Sequence, residues 1–175
     1  MGISVIYAVS KNGVIGQNNT IPWHLSDELK YFSRVTRDSI LIMGRKTYES
    51  LPNKTLPDRH LIVVSKDHYS EINQSNAPRN VVSVASIDEA LLTCNTLQRI
   101  LGKKDIFFIG GKEIISKGFT YASRVFVTVV DIEVTEHKTN VVVEPINSEV
   151  WNLVKLEHHK DASTGVSFTT MQYQK

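Results

Sequence analysis

Six short runs of almost unbroken apolar residues punctuate the chain: Ile3 to Val9, Ile40 to Met43, Leu61 to Val64, Val81 to Val84, Ile106 to Ile109 and Val125 to Val130. A strand with one face in water alternates apolar and polar residues, whereas a strand covered on both faces reads as a continuous run. Between the runs the spacing turns helical, over Ser26 to Val35, Thr47 to Leu51, Ser86 to Leu97 and Lys112 to Lys117. Strands alternating with helices predict an α/β fold on a mainly parallel sheet.

Local signals refine this outline. Ser86-Ile87-Asp88-Glu89 is a capping box, and Ala90, Leu91, Cys94 and Leu97 follow at helical spacing, which places Cys94 in the core. Ser26 stands where a cap for the first helix is expected, with Asp27 and Glu28 in the first turn. Beyond Asp131 the pattern changes: Val150 to His159 and Val166 to Tyr173 read as two strands joined by the turn Asp161 to Gly165, an antiparallel hairpin closing one edge of the sheet. Asn73 to Asn80, with Pro78, reads as a surface loop. No repeat or long linker interrupts the chain, so residues 1–175 are expected to form one domain.

Composition narrows the function classes. With 175 residues, 41% of them hydrophobic, there is enough apolar material for a core. Twenty basic residues against 18 acidic ones, interspersed, give a net charge of +2, which disfavours partners held by bulk charge such as nucleic acid or a membrane surface. Cys94 is the only cysteine, so no intramolecular disulfide can form and a cysteine-based zinc site is disfavoured. The longest apolar runs have strand length, and Met1 to Ser10 has neither a basic leader nor an extended apolar region. A cytoplasmic protein without membrane association is expected.

Three segments carry candidate chemistry. Gly110-Gly111 lies between a strand and a helix, where glycine allows close approach of a ligand and the helix start offers amides to a phosphate; a bare pair is also simply a tight turn. Gly44-Arg45-Lys46-Thr47 likewise opens a helix, with two cations and a hydroxyl that suit an anion or make a solvated basic turn. Two such sites in one sheet match the two ends of a dinucleotide. The third is Glu28, which shares a helical face with Leu25, Leu29 and Phe32 while Asp27 and Lys30 point toward solvent. Buried on an apolar face without a basic neighbour, this carboxylate needs a doubly donating partner; the plainer reading is a first-turn acid favoured by the helix dipole. His158 and His159 would point to opposite faces of a strand and cannot chelate together, so neither metal-ion nor covalent catalysis is indicated.

These residues, with others in the same order, resemble the dihydrofolate reductase family. The similarity spans nearly the whole chain: Ile3 to Val9, Val14-Ile15-Gly16, Ile21-Pro22-Trp23, Leu25 with Glu28, Leu29 and Phe32, Ile42 to Thr47, Leu56-Pro57-x-Arg59, Ile109-Gly110-Gly111 and Val127-Thr128-x-x-Asp131. The resemblance implies a mixed, mainly parallel eight-stranded sheet with flanking helices. It further implies NADPH-dependent reduction of 7,8-dihydrofolate to tetrahydrofolate by a cytoplasmic monomer that supports one-carbon metabolism and thymidylate synthesis.

Site roles follow from the same resemblance. Glu28 would hold the pterin through its amino group and ring nitrogen, supported by Thr128, while a water admitted near Trp23 protonates N5 after hydride reaches C6 from nicotinamide C4. Ile6, Leu29, Phe32, Leu51, Leu56 and Ile109 would pack on the pterin and aryl tail, and Arg59 would pair with the α-carboxylate. Ala8, Ile15, Gly16, Gln17, Asn19 and Thr20 would meet the nicotinamide end of NADPH. Gly44, Lys46, Thr47, Gly110, Gly111, Lys112, Glu113 and Ile114 would meet the pyrophosphate, and Arg45, Val64, Ser65 and Lys66 the 2′-phosphate end. Gly13 to Trp23 matches a mobile loop that covers the nicotinamide.

Two positions depart from the family pattern. Ile115 stands where an aromatic residue is usual, which removes a contact to the nicotinamide region. His137-Lys138-Thr139-Asn140-Val141 replaces Gly-Asp-Thr-x-Phe, so a cation stands in place of the acid that holds the mobile loop. Besides the reductase reading stand a pterin or riboflavin-pathway reductase sharing the sheet, and a binding protein that kept the fold without the chemistry.

Overall fold

The computed structural model describes residues 2–67, 72–73, 78–102 and 104–175. In chain order the elements are β1 (Ile3–Ser10), β2 (Val14–Gly16), α1 (Ser26–Val35), β3 (Ile40–Gly44), α2 (Arg45–Ser50), β4 (His60–Val64) and β5 (Val81–Val84). There follow α3 (Ile87–Leu101), β6 (Ile106–Gly110), α4 (Lys112–Tyr121), β7 (Arg124–Val130), β8 (Val141–Val142), β9 (Asn152–Lys160) and β10 (Ser167–Gln174). Eight strands form one sheet in the order β5-β4-β3-β6-β1-β7-β10-β9, and β2 pairs separately with β8. The pairings from β5 through β7 are parallel, while β10 runs antiparallel to both β7 and β9. The mixed, mainly parallel sheet with a hairpin at one edge is thus the one the apolar runs and the resemblance indicate.

The continuous runs are explained by cover on both faces. Ile6, Leu41, Met43, Leu61 and Phe126 pack with Tyr48 of α2 and, at the margin, Phe32 and Val35 of α1. The alternate residues Val5, Tyr7, Ile42, Ile62, Val125 and Val127 pack on the other face with Ala90 and Cys94 of α3 and Ile114 and Ile115 of α4. Cys94 is fully buried, and burial pushes its thiol up to about 12, an inert core residue as its helical spacing indicates. Among the described residues no helix is long and apolar enough to cross a membrane.

Caps divide into one expected and one not. Ser86 Oγ accepts from Glu89 N at 3.2 Å, and Glu89 Oε2 accepts from Ala85 N at 2.8 Å, so the predicted capping box forms with its return bond displaced by one residue. Ser26 does not cap α1: Leu25 holds the cap position without a side-chain bond, and Asp161, from the turn between β9 and β10, accepts from Asp27 N at 2.9 Å. Ser26 is already inside the helix, and the acid that reaches its orphan amides comes from across the sheet. Other boundaries move slightly: α2 begins at Arg45, α3 and α4 run on to Leu101 and Tyr121, and β9 begins at Asn152 after Trp151 has turned into the core. Of the loop expected over Asn73 to Asn80, residues 74–77 lie outside the described residues, while the Asn73 side chain bonds both backbone groups of Ser83.

Candidate functional site

Glu28 sits on the inward face of α1 and is 8% exposed, the only buried residue of that helix. Its side-chain partner is the Thr128 hydroxyl on β7, and no cation pairs with it among the described residues. Burial raises its pKa, and the bond from Thr128 opposes that shift more weakly. Thr128 is in register with Ala8 of β1 on one side and Thr170 of β10 on the other. Thr170 Oγ1 in turn lies 3.0 Å from His159 Nε2 and also bonds the Tyr31 hydroxyl, so a polar thread backs the acid where the sheet meets its hairpin.

Five of the expected apolar residues share one cluster. Ile6, Phe32, Leu51, Leu56 and Ile109 all belong to the cluster on the Ile6 face of the sheet. Leu29 shares the helical face but is 44% exposed. Trp23 packs with Leu25, Val130 and Phe168. Since Val130 is two residues beyond Thr128 on the same face of β7, Trp23 sits one pleat along the strand from the partner of Glu28. Arg59 is 7% exposed; its terminal nitrogens donate to the carbonyls of Pro57 and Ser33, and Nη2 reaches Ser33 Oγ at 2.8 Å. Its Nε is buried without a partner, an orphaned donor on a fixed guanidinium.

The carboxyl ends of β4, β3, β6 and β1, four neighbours in the sheet, carry the second group of candidates: Val64 with Ser65, Gly44, Gly110 and Ala8. Crevices at the carboxyl ends of parallel strands are where such sheets bind ligands. Here α2 and α4 start side by side, both without a side-chain cap, leaving first-turn amides to other partners. A Cβ on Gly110, whose φ is +146°, would stand 3.2 Å from Thr47 Oγ1, and one on Gly44 would lie 3.7 Å from Gly111 N and 3.5 Å from Ile114 Cγ1. The Gly110–Gly111 peptide is cis. Lys46, Lys66, Lys112 and Glu113 are exposed around this cradle. Arg45 is not directed freely outward, because Glu49 holds its Nε at 2.6 Å.

The segment from Gly13 to Trp23 is a structured arm. Ile15 and Gly16 lie in β2, and Gln17 to Thr20 closes a tight turn, with reciprocal backbone bonds of 2.9 and 3.0 Å and positive φ at Asn18 and Asn19. Gln17 Nε2 donates to Asn140 Oδ1 at 2.7 Å, and Thr139 Oγ1 donates to Asn18 Oδ1 at 2.8 Å. Thr139 and Asn140 are functional candidates that pattern alone did not single out; only the departure from the family sequence at Lys138 pointed to this loop. No hydrogen bond among the described residues links this arm to the glycine pair. Ile115 is 2% exposed and faces the core of α4 and the sheet. His158 and His159 lie on opposite faces of β9, bonded to Thr169 and Thr170.

Comparison with known proteins bears on the chain as a whole. The profile of the family described as dihydrofolate reductase matches residues 2–175. A dihydrofolate reductase of Bacillus subtilis strain 168 is 32% identical over 174 residues, covering 99% of this chain and 94% of its own. A dihydrofolate reductase type 9 of Escherichia coli is 38% identical over 152 residues, 87% of this chain and 81% of its own. A dihydrofolate reductase from Buchnera aphidicola of Acyrthosiphon pisum is 38% identical over 134 residues, 77% and 75% of the two chains.

Proposed function

The chain belongs to the dihydrofolate reductase family, and from that premise we propose that it is a single-domain enzyme reducing 7,8-dihydrofolate to 5,6,7,8-tetrahydrofolate with NADPH. The observation that carries this reading is Glu28, a buried carboxylate on an apolar face with one hydroxyl for a partner. A flat heterocycle offering an amino group and a neighbouring ring N–H completes its hydrogen bonding with two parallel, charge-assisted bonds.

The cradle fits a nicotinamide dinucleotide. Two uncapped helix starts face one gap, and a Cβ at Gly110 or Gly44 would intrude on it. Gly44, Lys46, Thr47 and Gly110 to Ile114 hold the pyrophosphate through backbone amides and the Thr47 hydroxyl. Arg45, Ser65 and Lys66 at the neighbouring strand ends select the 2′-phosphate, and Ala8, Ile15, Gly16, Gln17, Asn19 and Thr20 border the nicotinamide. When bound, NADPH supplies the hydride that passes from nicotinamide C4 to pterin C6.

The remaining chemistry belongs to the chain. Glu28 and Thr128 fix the pterin ring, and Ile6, Leu29, Phe32, Leu51, Leu56 and Ile109 exclude water from its faces. Arg59 pairs with the α-carboxylate by exchanging its terminal-nitrogen bonds to Pro57 and Ser33 for bonds to the ligand. Trp23 borders the path of the water that protonates N5. NADPH oxidation with dihydrofolate tests the assignment: wild type turns over, and Glu28→Gln, losing about 2–3 kcal/mol of charge-assisted binding, lowers kcat/KM by roughly 30- to 150-fold. Absence of wild-type turnover, or equal rates in the two proteins, overturns it.

A further inference from the structure

The sheet face opposite Glu28 carries a hollow. Side chains alternate along a strand, so Ile6, Ala8 and Thr128 face the site described above while Tyr7, Val9 and Val127 face away. Against that far face, Tyr7, Val127, Met171 and Tyr173 of β1, β7 and β10 form a floor, and the strap over 142–146 forms a wall. This half-open hollow measures about 520 Å³, within the range that receives a small organic molecule.

The floor and wall are mainly apolar; the polar side chains of the lining are Tyr7, Ser10, Lys11, Asn12, Glu144 and Tyr173, and Ser10 already donates to Asn12. Tyr7 is 8% exposed, yet its hydroxyl makes no hydrogen bond among the described residues. The adjacent Tyr173 hydroxyl reaches Met171 Sδ at 3.2 Å, a weak acceptor. The Tyr7 ring is buried, but its hydroxyl opens onto the hollow without a partner among the described residues, which marks the place where an acceptor fits. Lys11, the cation in the lining, is already paired with Asp131 at 2.9 Å, and Glu144 adds negative charge, so an anion finds no counter-charge here. We propose that this cavity is a binding site for an uncharged, largely apolar small molecule that accepts one hydrogen bond from the Tyr7 hydroxyl. Burial drives the Tyr7 phenol far above its ordinary value, which keeps it a donor at every physiological pH.

The site adjoins the arm, whose Ile15 packs against the same core cluster as Tyr7 and Val127. Its lip is Gly13 and Val142: Val143 N donates to Gly13 O at 3.0 Å, Val142 pairs with Val14, and a Cβ on Gly13 would stand 3.3 Å from Val142 Cγ1. An occupant touching Val142 therefore bears on the base of β2.

Quinoline, flat, uncharged at neutral pH and carrying one ring-nitrogen acceptor, tests the site without reference to the proposed reaction. It is titrated into the full chain with labelled methyl groups. Saturable shifts at Met171, Val127 and Val142, and at the Gly13 amide, are expected, with none at Leu56 or Ile109. Tyr7→Phe weakens quinoline about fivefold, and naphthalene, with the shape but no acceptor, binds the wild type correspondingly more weakly. Shifts confined to Leu56 and Ile109, no saturation by about 10 mM, or equal binding of the two compounds by wild type overturns the proposal.

Discussion

Asp161 and Asp27 hold each other's backbone: Asp161 Oδ1 accepts from Asp27 N at 2.9 Å, and Asp27 Oδ2 accepts from Ala162 N at 2.8 Å. Two acids lie side by side because each is saturated with donors, Asp161 also taking Ser163 Oγ at 2.7 Å and the Thr164 amide at 2.9 Å. The exchange bolts the first turn of α1, and with it Glu28, to the tip of the edge hairpin. These bonds, the Asp27 amide first, hold the Asp161 carboxyl well below the usual carboxylate range. A depressed folded pKa means the stabilisation is complete above about pH 4, the unfolded value, and is lost as pH falls through the folded one. Asp161→Ala therefore lowers Tm by about 5 °C at pH 7, with a gap to wild type that narrows below about pH 4. Calorimetry of both proteins across that range checks it.

Glu28 has the opposite sign. Burial raises its pKa, so the folded chain binds this proton more tightly than the unfolded one. The ionised acid opposes folding above the folded pKa, and the opposition vanishes below about pH 4.3, the unfolded value. Glu28→Gln keeps the bond to Thr128 without the charge and stabilises the ligand-free protein by about 1 kcal/mol at pH 8, while lowering its activity. Urea unfolding at pH 8 and at pH 4 should show the gain at the first and its disappearance at the second.

Most of the sheet was legible because strands buried on both faces write themselves as continuous apolar runs, and β1, β3, β4, β5, β6 and β7 all carry one. Glu28 was legible for the same reason, an acid breaking an apolar helical face. Asp161 was not, since a turn acid announces a turn but nothing in the sequence joins it to an amide 134 positions away. Likewise the far cavity depends on how the 142–146 strap lies over the sheet, a tertiary matter without periodicity. Boundaries shifted where local preference yields to packing, as at Trp151, which the core takes before β9 begins.

The glycine pair separates a conformational need from a spatial one. Gly110 has φ +146°, a region closed to side chains, and a Cβ there would stand 3.2 Å from Thr47 Oγ1. Gly111 has φ −73°, and its Cβ would find ordinary contact at 3.8 Å. Gly110→Ala should lose about 1–3 kcal/mol of stability and weaken NADPH about tenfold as Thr47 is displaced, whereas Gly111→Ala should lose under about 1 kcal/mol. Urea unfolding and NADPH fluorescence titration of the two variants decide the order; equal losses would contradict it.

The arm is held by a neutral clasp in place of the acid that the family resemblance led one to expect. Lys138 is exposed and makes no hydrogen bond or ion pair among the described residues. The holding falls to its neighbours: Gln17 to Asn140 at 2.7 Å and to Thr135 O at 3.2 Å, and Asn18 with Thr139 through bonds of 3.2 and 2.8 Å. Bonds between uncharged groups are little affected by screening, and each contributes about 0.5–1.5 kcal/mol. Combining Thr139→Ala with Asn140→Ala should therefore speed amide exchange in β2 by about tenfold, the signature of a more frequent local opening. Lys138→Ala should leave that exchange unchanged, as should raising sodium chloride from about 50 to 500 mM. Exchange that quickened with salt, or on loss of Lys138, would mean that charge holds the arm after all.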